Sequence, residues 1–142
     1  MYHRILVALE NSRADQSLIP HVCELARRLG SELLLVHVAD GWVARNYHQL
    51  GLADSEEMKQ DRRYLEETAE HVRSCGVAVQ VKLALGDPPG EILRTAIDEG
   101  CDLIAMTTHG HRLIGDLLYG STITAVRHRA TVPVLLVRAQ SV

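Results

Sequence analysis

The sequence predicts an α/β fold. One domain over residues 1–142 is built on an open, parallel, five-stranded sheet with helices on both faces. Two observations carry this reading. Short unbroken apolar runs, such as Ile5 to Leu9 and Leu33 to Val38, have the pattern of strands buried on both faces. Between them lie stretches whose apolar residues recur at helical spacing, so strand and helix alternate along the chain. Crossovers of this kind are right-handed.

Ile5 to Leu9 is the first strand, and Glu10-Asn11-Ser12 is a polar turn. Ser12 followed by Asp15 resembles a helix N-terminal cap. Leu18, Ile19, Val22, Leu25, Ala26 and Leu29 then mark one helix face, and Gly30 closes the helix. After the second strand, residues Ala39 to Asp54 form the least regular stretch and carry Trp42, Tyr47 and His48. A connection of this length is either a functional lid or a segment whose apolar residues pack over the core or a partner.

Ser55 to Cys75 reads as the second helix, with Met58, Leu65, Ala69 and Val72 on one face and Gly76 at its end. Its charged run Glu56 to Arg63 has both signs and is most simply a solvated face. Val77 to Leu85 alternates in the manner of a strand at a sheet edge. Gly86-Asp87-Pro88-Pro89 is a turn, Glu91 to Glu99 the third helix and Asp102 to Thr107 the fourth strand. The final helix begins at Ser121 and runs to His128, and Val134 to Val137 is the fifth strand.

The 46% apolar content supports a packed globular core. A net charge of −3 does not suit nucleic-acid binding, and with no Phe and one Trp there is no aromatic platform for bases. No run reaches the length of a membrane span, and the N-terminus lacks the apolar region of a signal peptide. Cys23, Cys75 and Cys101 are widely spaced and odd in number. They read as reduced packing thiols, and the expected location is the cytoplasm.

The most informative stretch is Thr107-Thr108-His109-Gly110, then nine residues, then Gly120-Ser121-Thr122. A glycine-bearing loop after a strand, coupled to a Ser/Thr-rich helix start, brings backbone N–H groups and a helix N-terminus together, and both favour phosphate. Ser121 and Thr122 would donate hydroxyl and backbone hydrogen bonds to it, and Arg112 would add charge. In such sheets ligands bind beyond the carboxyl ends of the strands, where strand order reverses. The loops after the first and fourth strands would then face one crevice, which includes Leu9 and Glu10. Glu10 is either a functional carboxylate there or a solvated residue before the helix.

Other signatures fail. Gly115-x4-Gly120-Ser121 has P-loop spacing without the lysine, no GxGxxG follows the first strand, and Ser121 lacks a GxSxG setting. His109 and His111 lie two apart, but no Cys or carboxylate cluster joins them in the sequence, so no metal site is expected. His37 reads as a satisfied core histidine.

The whole chain resembles the universal stress proteins of the UspA type. The likeness is carried by Ile5 to Leu9 with Ser12, by Leu35-Val36-His37-Val38, and by Gly86-Asp87-Pro88. It is also carried by Thr-His-Gly-x9-Gly-Ser followed by Val132 to Val137. The spacing of that last segment resembles the pattern of the ATP-binding branch. The resemblance implies strand order 3-2-1-4-5 and a homodimer joined through the last strand, whose apolar edge suits pairing. It implies that Val38 meets adenine through its backbone and that Ala8, Leu9 and Glu10 flank base or ribose. Thr107, His109, Gly110, His111, Arg112, Gly120, Ser121 and Thr122 would surround ribose and phosphates.

Two positions depart from the family pattern. Thr107 stands where its first glycine is expected, and Glu10 where it usually has Asp. The expected activity is ATP binding in a stress-response regulator, with any Mg²⁺ carried mainly by nucleotide and water. Turnover is slow or absent, because no general base or lysine is evident beside the phosphates. The alternatives are a nucleotide-independent interaction or chaperone-like module, and an enzyme, either a real ATPase or an adenylyl-transferring relative. The last is disfavoured because neither a HIGH-like nor an SGGxDS-like motif occurs.

Overall fold

The structure is a computed structural model and describes residues 1–39, 56–109 and 116–140. Strands β1 (Arg4–Ala8), β2 (Glu32–Ala39), β3 (Val79–Leu85), β4 (Leu103–Thr108) and β5 (Val134–Arg138) form one sheet in the order β3-β2-β1-β4-β5. Every pairing is parallel, with Leu6 beside Leu34 on one side and Ile104 on the other. This is the expected fold class and strand order. The connection from Ala39 to Asp54, read as lid or packing segment, lies outside the described residues from position 40 on.

Helices α1 (Asp15–Leu29) and α2 (Glu56–Ser74) cover one face, and α3 (Pro88–Asp98) and α4 (Asp116–Arg129) the other. The period-2 alternation of strand side chains sorts them between two cores. Ile5, Val7, Leu33, Leu35, Leu103 and Ala105 pack under Leu18, Val22, Leu65 and Val72. Leu6, Leu34, Val36, Ile104 and Met106 pack under Ile92, Ala96, Ile123 and Val126. Both faces of the central strands are therefore dry, which is why their sequences read as unbroken apolar runs. β3 lies at an edge, as its alternation predicts, and its Gln80 is exposed.

Three helix starts differ from the sequence reading. Ser12 does not cap α1, which begins at Asp15 after Ala14 with no side-chain cap. The Ser12 hydroxyl instead accepts from the Ala14 N–H at 3.2 Å and donates to Glu10. The α3 helix starts at Pro88 rather than Glu91. Its two prolines occupy first-turn positions, where a missing N–H costs nothing, and Asp87 caps it by accepting from Gly90 N–H at 3.3 Å. The α4 helix starts at Asp116 rather than Ser121, so Gly120 and Ser121 sit within it. A helix leaves only its first four N–H groups unpaired. Ser121 is the sixth residue, so its amide is not one of those free donors.

At the opposite end of the sheet, Asp102 ties the N-terminus down by accepting from His3 N–H at 2.9 Å and Arg4 N–H at 3.1 Å. Burial acts to raise its pKa, but those amides outweigh it and hold the carboxyl below its ordinary value. The stability this contributes is complete above the ordinary value of 3.8 and is lost as pH falls through the depressed one. Asp102→Asn is expected to cost about 1 kcal/mol at neutral pH. The deficit relative to wild type should shrink in acid, as urea unfolding at both pH values would reveal. A deficit that grows in acid would contradict the assignment.

Candidate functional site

The strand order reverses between β1 and β4, because the chain leaves β1 toward β2 on one side and reaches β4 on the other. Beyond the carboxyl ends there opens a cleft of about 370 Å³. That is within the range of small-molecule sites, roughly 300–1,000 Å³. Ala8 and Leu9 from the end of β1, Val36 to Ala39 from β2, and Met106 and Thr107 from β4 form its floor. The α3 helix adds Ile92, and α4 adds Thr122 and Ile123.

Glu10 lines it as well. Its side chain is only 9% exposed. Thr107, buried at the end of β4, donates its hydroxyl to Oε2 at 2.7 Å. His109 Nε2 lies 2.9 Å from each carboxylate oxygen, and since a carboxylate accepts, Nε2 carries the hydrogen. The two departures from the family pattern therefore meet each other. The extra methylene of Glu10 carries its carboxylate across the strand boundary to the hydroxyl of Thr107. Thr107 does not fill the cleft.

A second carboxylate sets the backbone beneath. Asp15, at the start of α1 and 2% exposed, accepts from the amides of Glu10 and Asn11, each at 2.9 Å, and from the Tyr64 hydroxyl of α2. Burial raises its pKa, which Tyr64 and the two amides partly offset, while the charge of Glu10 adds to the rise. Burial and the Asp15 charge also push the Tyr64 hydroxyl well up, so it stays a donor. Asn11 takes the left-handed backbone (φ 59°) that this turn needs, a conformation Asn tolerates.

The side chain of Asn11 donates to Asp61 Oδ1 at 2.8 Å. Asp61 also faces His37 Nε2 at 3.6 Å, while His37 Nδ1 donates to the Leu9 carbonyl at 2.8 Å. Asp61 is 5% exposed, which corrects the reading of residues 56–63 as a wholly solvated face. The signal was present: Met58, Asp61, Leu65, Ala69 and Val72 follow one helical stripe, and all are buried. Glu57, also from the start of α2, lines the cleft. Among the lining residues that sequence reasoning missed are Asn11, Glu57, Asp61, Ile92 and Met106, and it took His37 only as a core residue.

Of the residues singled out from the sequence, Ala8, Leu9, Glu10, Val38, Thr107 and Thr122 line the cleft together, and His109 reaches it through Glu10. Ser121 is exposed on α4 and does not form part of that lining. Gly120 is helical backbone, and Gly110, His111 and Arg112 lie outside the described residues. Among the described residues no group of three His, Cys, Asp or Glu is arranged to hold a metal, and no helix is long and apolar enough to cross a membrane.

A solved structure of the protein MJ0577, from Methanocaldococcus jannaschii, superposes with a TM-score of 0.78 at 26% identity, covering 100% of this chain and 99% of that one. Universal stress protein YxiE of Bacillus subtilis is 28% identical over 97% of this chain and 100% of its own length. The structure of a universal stress protein from Archaeoglobus fulgidus in complex with dAMP shares the fold with a TM-score of 0.72. It is 21% identical over 96% of this chain and 98% of that one. The model of the universal stress protein family matches residues 1–138. With sheet order, switch-point cleft and full-length match in agreement, the chain belongs to the universal stress protein family.

Proposed function

We propose that this protein binds an adenine nucleotide, ATP foremost, in the switch-point cleft and serves as a regulator in the stress response with slow or no turnover. The observation that carries the reading is the cleft itself, where apolar walls surround a carboxylate and hydroxyls that converge at the strand ends. Its position agrees with the general rule for open parallel sheets. A protein of the same fold from Archaeoglobus fulgidus holds dAMP. In this reading the backbone of Val38 meets the base beside Ala8 and Leu9. Glu10, already held by Thr107 and His109, accepts from ribose hydroxyls. Thr122, Ser121 and the stretch around Gly110, His111, Arg112 and Gly120 serve the phosphates, with Mg²⁺ bound through the nucleotide. A second copy pairs along the half-buried edge of β5.

One observation favours the nucleotide-independent alternative. The described lining carries Glu10, Glu57 and Asp61 but no Lys or Arg, which disfavours a polyphosphate. Isothermal titration of adenosine, AMP and ATP into the folded protein separates the readings. Thr122→Val is expected to weaken ATP about tenfold, the worth of a hydrogen bond to a charged group, and to leave adenosine unchanged. No heat with any of the three at millimolar concentration would remove the nucleotide reading and leave the interaction module.

A further inference from the structure

A second hollow, of about 260 Å³, opens at the other end of the sheet, between the C-terminal ends of α3 and α4 and the start of β4. Its floor is Ala96, Cys101 and Ile104, all buried, and half-buried Leu93 and Val132 form its walls. At Ala96, Gly100 and Cys101 the side chains are too small to fill the gap. Its shape is held by backbone. Gly100 takes the left-handed conformation (φ 66°) and donates its N–H to the Ile97 carbonyl at 3.2 Å, and the Cys101 N–H donates to the Ala96 carbonyl at 2.9 Å. On the far side the Ile104 N–H donates to the carbonyl of Pro133, next to Val132, at 3.1 Å.

The rim has a different chemistry. Ile97 is 69% exposed, an aliphatic side chain in water at the edge of an apolar hollow. Arg129 and Thr131 line the same mouth and are also exposed. Arg127 is exposed in the same last turn of α4, and neither arginine has an ion pair among the described residues. Burial pushes the Cys101 thiol up to about 11, so the floor carries no charge at neutral pH.

We propose that this hollow binds a medium-chain fatty acid, with its alkyl chain on the apolar floor and its carboxylate on Arg129 and Thr131. The site is remote from the switch-point cleft and independent of any nucleotide. The alkyl chain displaces water from Ala96, Cys101 and Ile104 and covers Ile97, which gains by the same burial. The carboxylate accepts from the Arg129 guanidinium and the Thr131 hydroxyl, and the charged donor makes that contact the stronger one. Helix carbonyl ends oppose an anion. Here the Ala96 and Ile97 carbonyls are already taken by backbone N–H groups, and the full charges of Arg127 and Arg129 outweigh the partial charges that remain. Of the acids at the end of α3, Glu99 is engaged by Arg4 at 3.3 Å, and Asp98 is no part of the lining.

The test titrates butanoate, hexanoate, octanoate and octan-1-ol into the full-length protein by calorimetry and locates each by amide chemical shifts. Octanoate is expected to bind with a Kd below about 1 mM, and each added methylene to tighten binding about fourfold. Arg129→Gln should weaken octanoate about tenfold and leave octan-1-ol unchanged. Ile97→Glu, which sets a carboxylate on the rim, should abolish octanoate binding. Both positions are exposed, so neither substitution disturbs the core. The shifts should fall on the amides of Gly100, Cys101 and Thr131 and spare those of Glu10 and Val38. The proposal is overturned if octanoate gives no heat at millimolar concentration, if Arg129→Gln weakens octanoate and octan-1-ol alike, or if the shifts appear at Glu10 and Val38 instead. It is equally overturned if sedimentation shows that a second copy covers Ile97, with Ile97→Glu releasing monomers.

Discussion

Asp15→Ala is expected to lower the unfolding free energy by about 2–4 kcal/mol and to loosen the cleft with it. The loss does not come from the charge itself. Burial holds the folded carboxyl above its ordinary pKa, so the ionised form gains nothing from folding on its own account. It comes from three donors left without an acceptor: the amides of Glu10 and Asn11 and the hydroxyl of Tyr64. Each buried unpaired donor costs about 1–3 kcal/mol before relaxation, and relaxation of the turn returns part of it. Asp15→Asn keeps one acceptor oxygen and should cost about half as much.

The pH dependence has a definite sign. A carboxyl whose folded pKa is raised contributes stability that is complete below 3.8 and fades as pH rises through the folded value. The advantage of wild type over Asp15→Asn should therefore widen as pH is lowered toward 3.8, the reverse of the trend for Asp102→Asn. Urea unfolding of the three proteins between neutral pH and that value measures it. Parallel trends for both carboxylates would refute the opposed assignments. Because Asp15 also sets the backbone of Glu10 and Asn11, any ligand affinity of the cleft should fall in the same variants, with the larger fall in Asp15→Ala.

Leu6→Ala is expected to cost about 2–5 kcal/mol, among the largest losses a single truncation here can cause. Leu6 is fully buried in the middle strand, registered between Leu34 and Ile104. Strands on both sides hold the backbone, so the site cannot collapse around the missing atoms, and a cavity remains. The corresponding fall in Tm is on the order of 10 °C, with an unchanged denaturant slope. Ala8, Val36 and Met106 belong to the same packed cluster and also line the cleft. The void therefore lies in the layer that supports the site. A loss below about 1 kcal/mol would mean that this layer repacks far more freely than a close-packed interior does.

What the sequence determined by itself is what burial writes into local spacing. A strand buried on both faces must be apolar throughout, so β1, β2 and β4 stood out as runs, and edge strand β3 as an alternation. Leu18, Val22 and Ala26 showed the buried face of α1 for the same reason. Glu10 and Thr107 could be singled out because they end neighbouring strands, but nothing local says that they touch. Their hydrogen bond joins positions 97 apart, and it exists only because β4 lies beside β1 with a register that brings both ends level.

The same holds for Asn11 with Asp61 and for His37 with the Leu9 carbonyl. Polar partners are matched by strand order, helix placement and side-chain reach, none of which has a period in the sequence. Helix starts fell between these cases. Asp15 and Asp87 are ordinary capping residues, yet Asp15 turned back to serve the amides of Glu10 and Asn11, a choice made by the tertiary arrangement around the cleft.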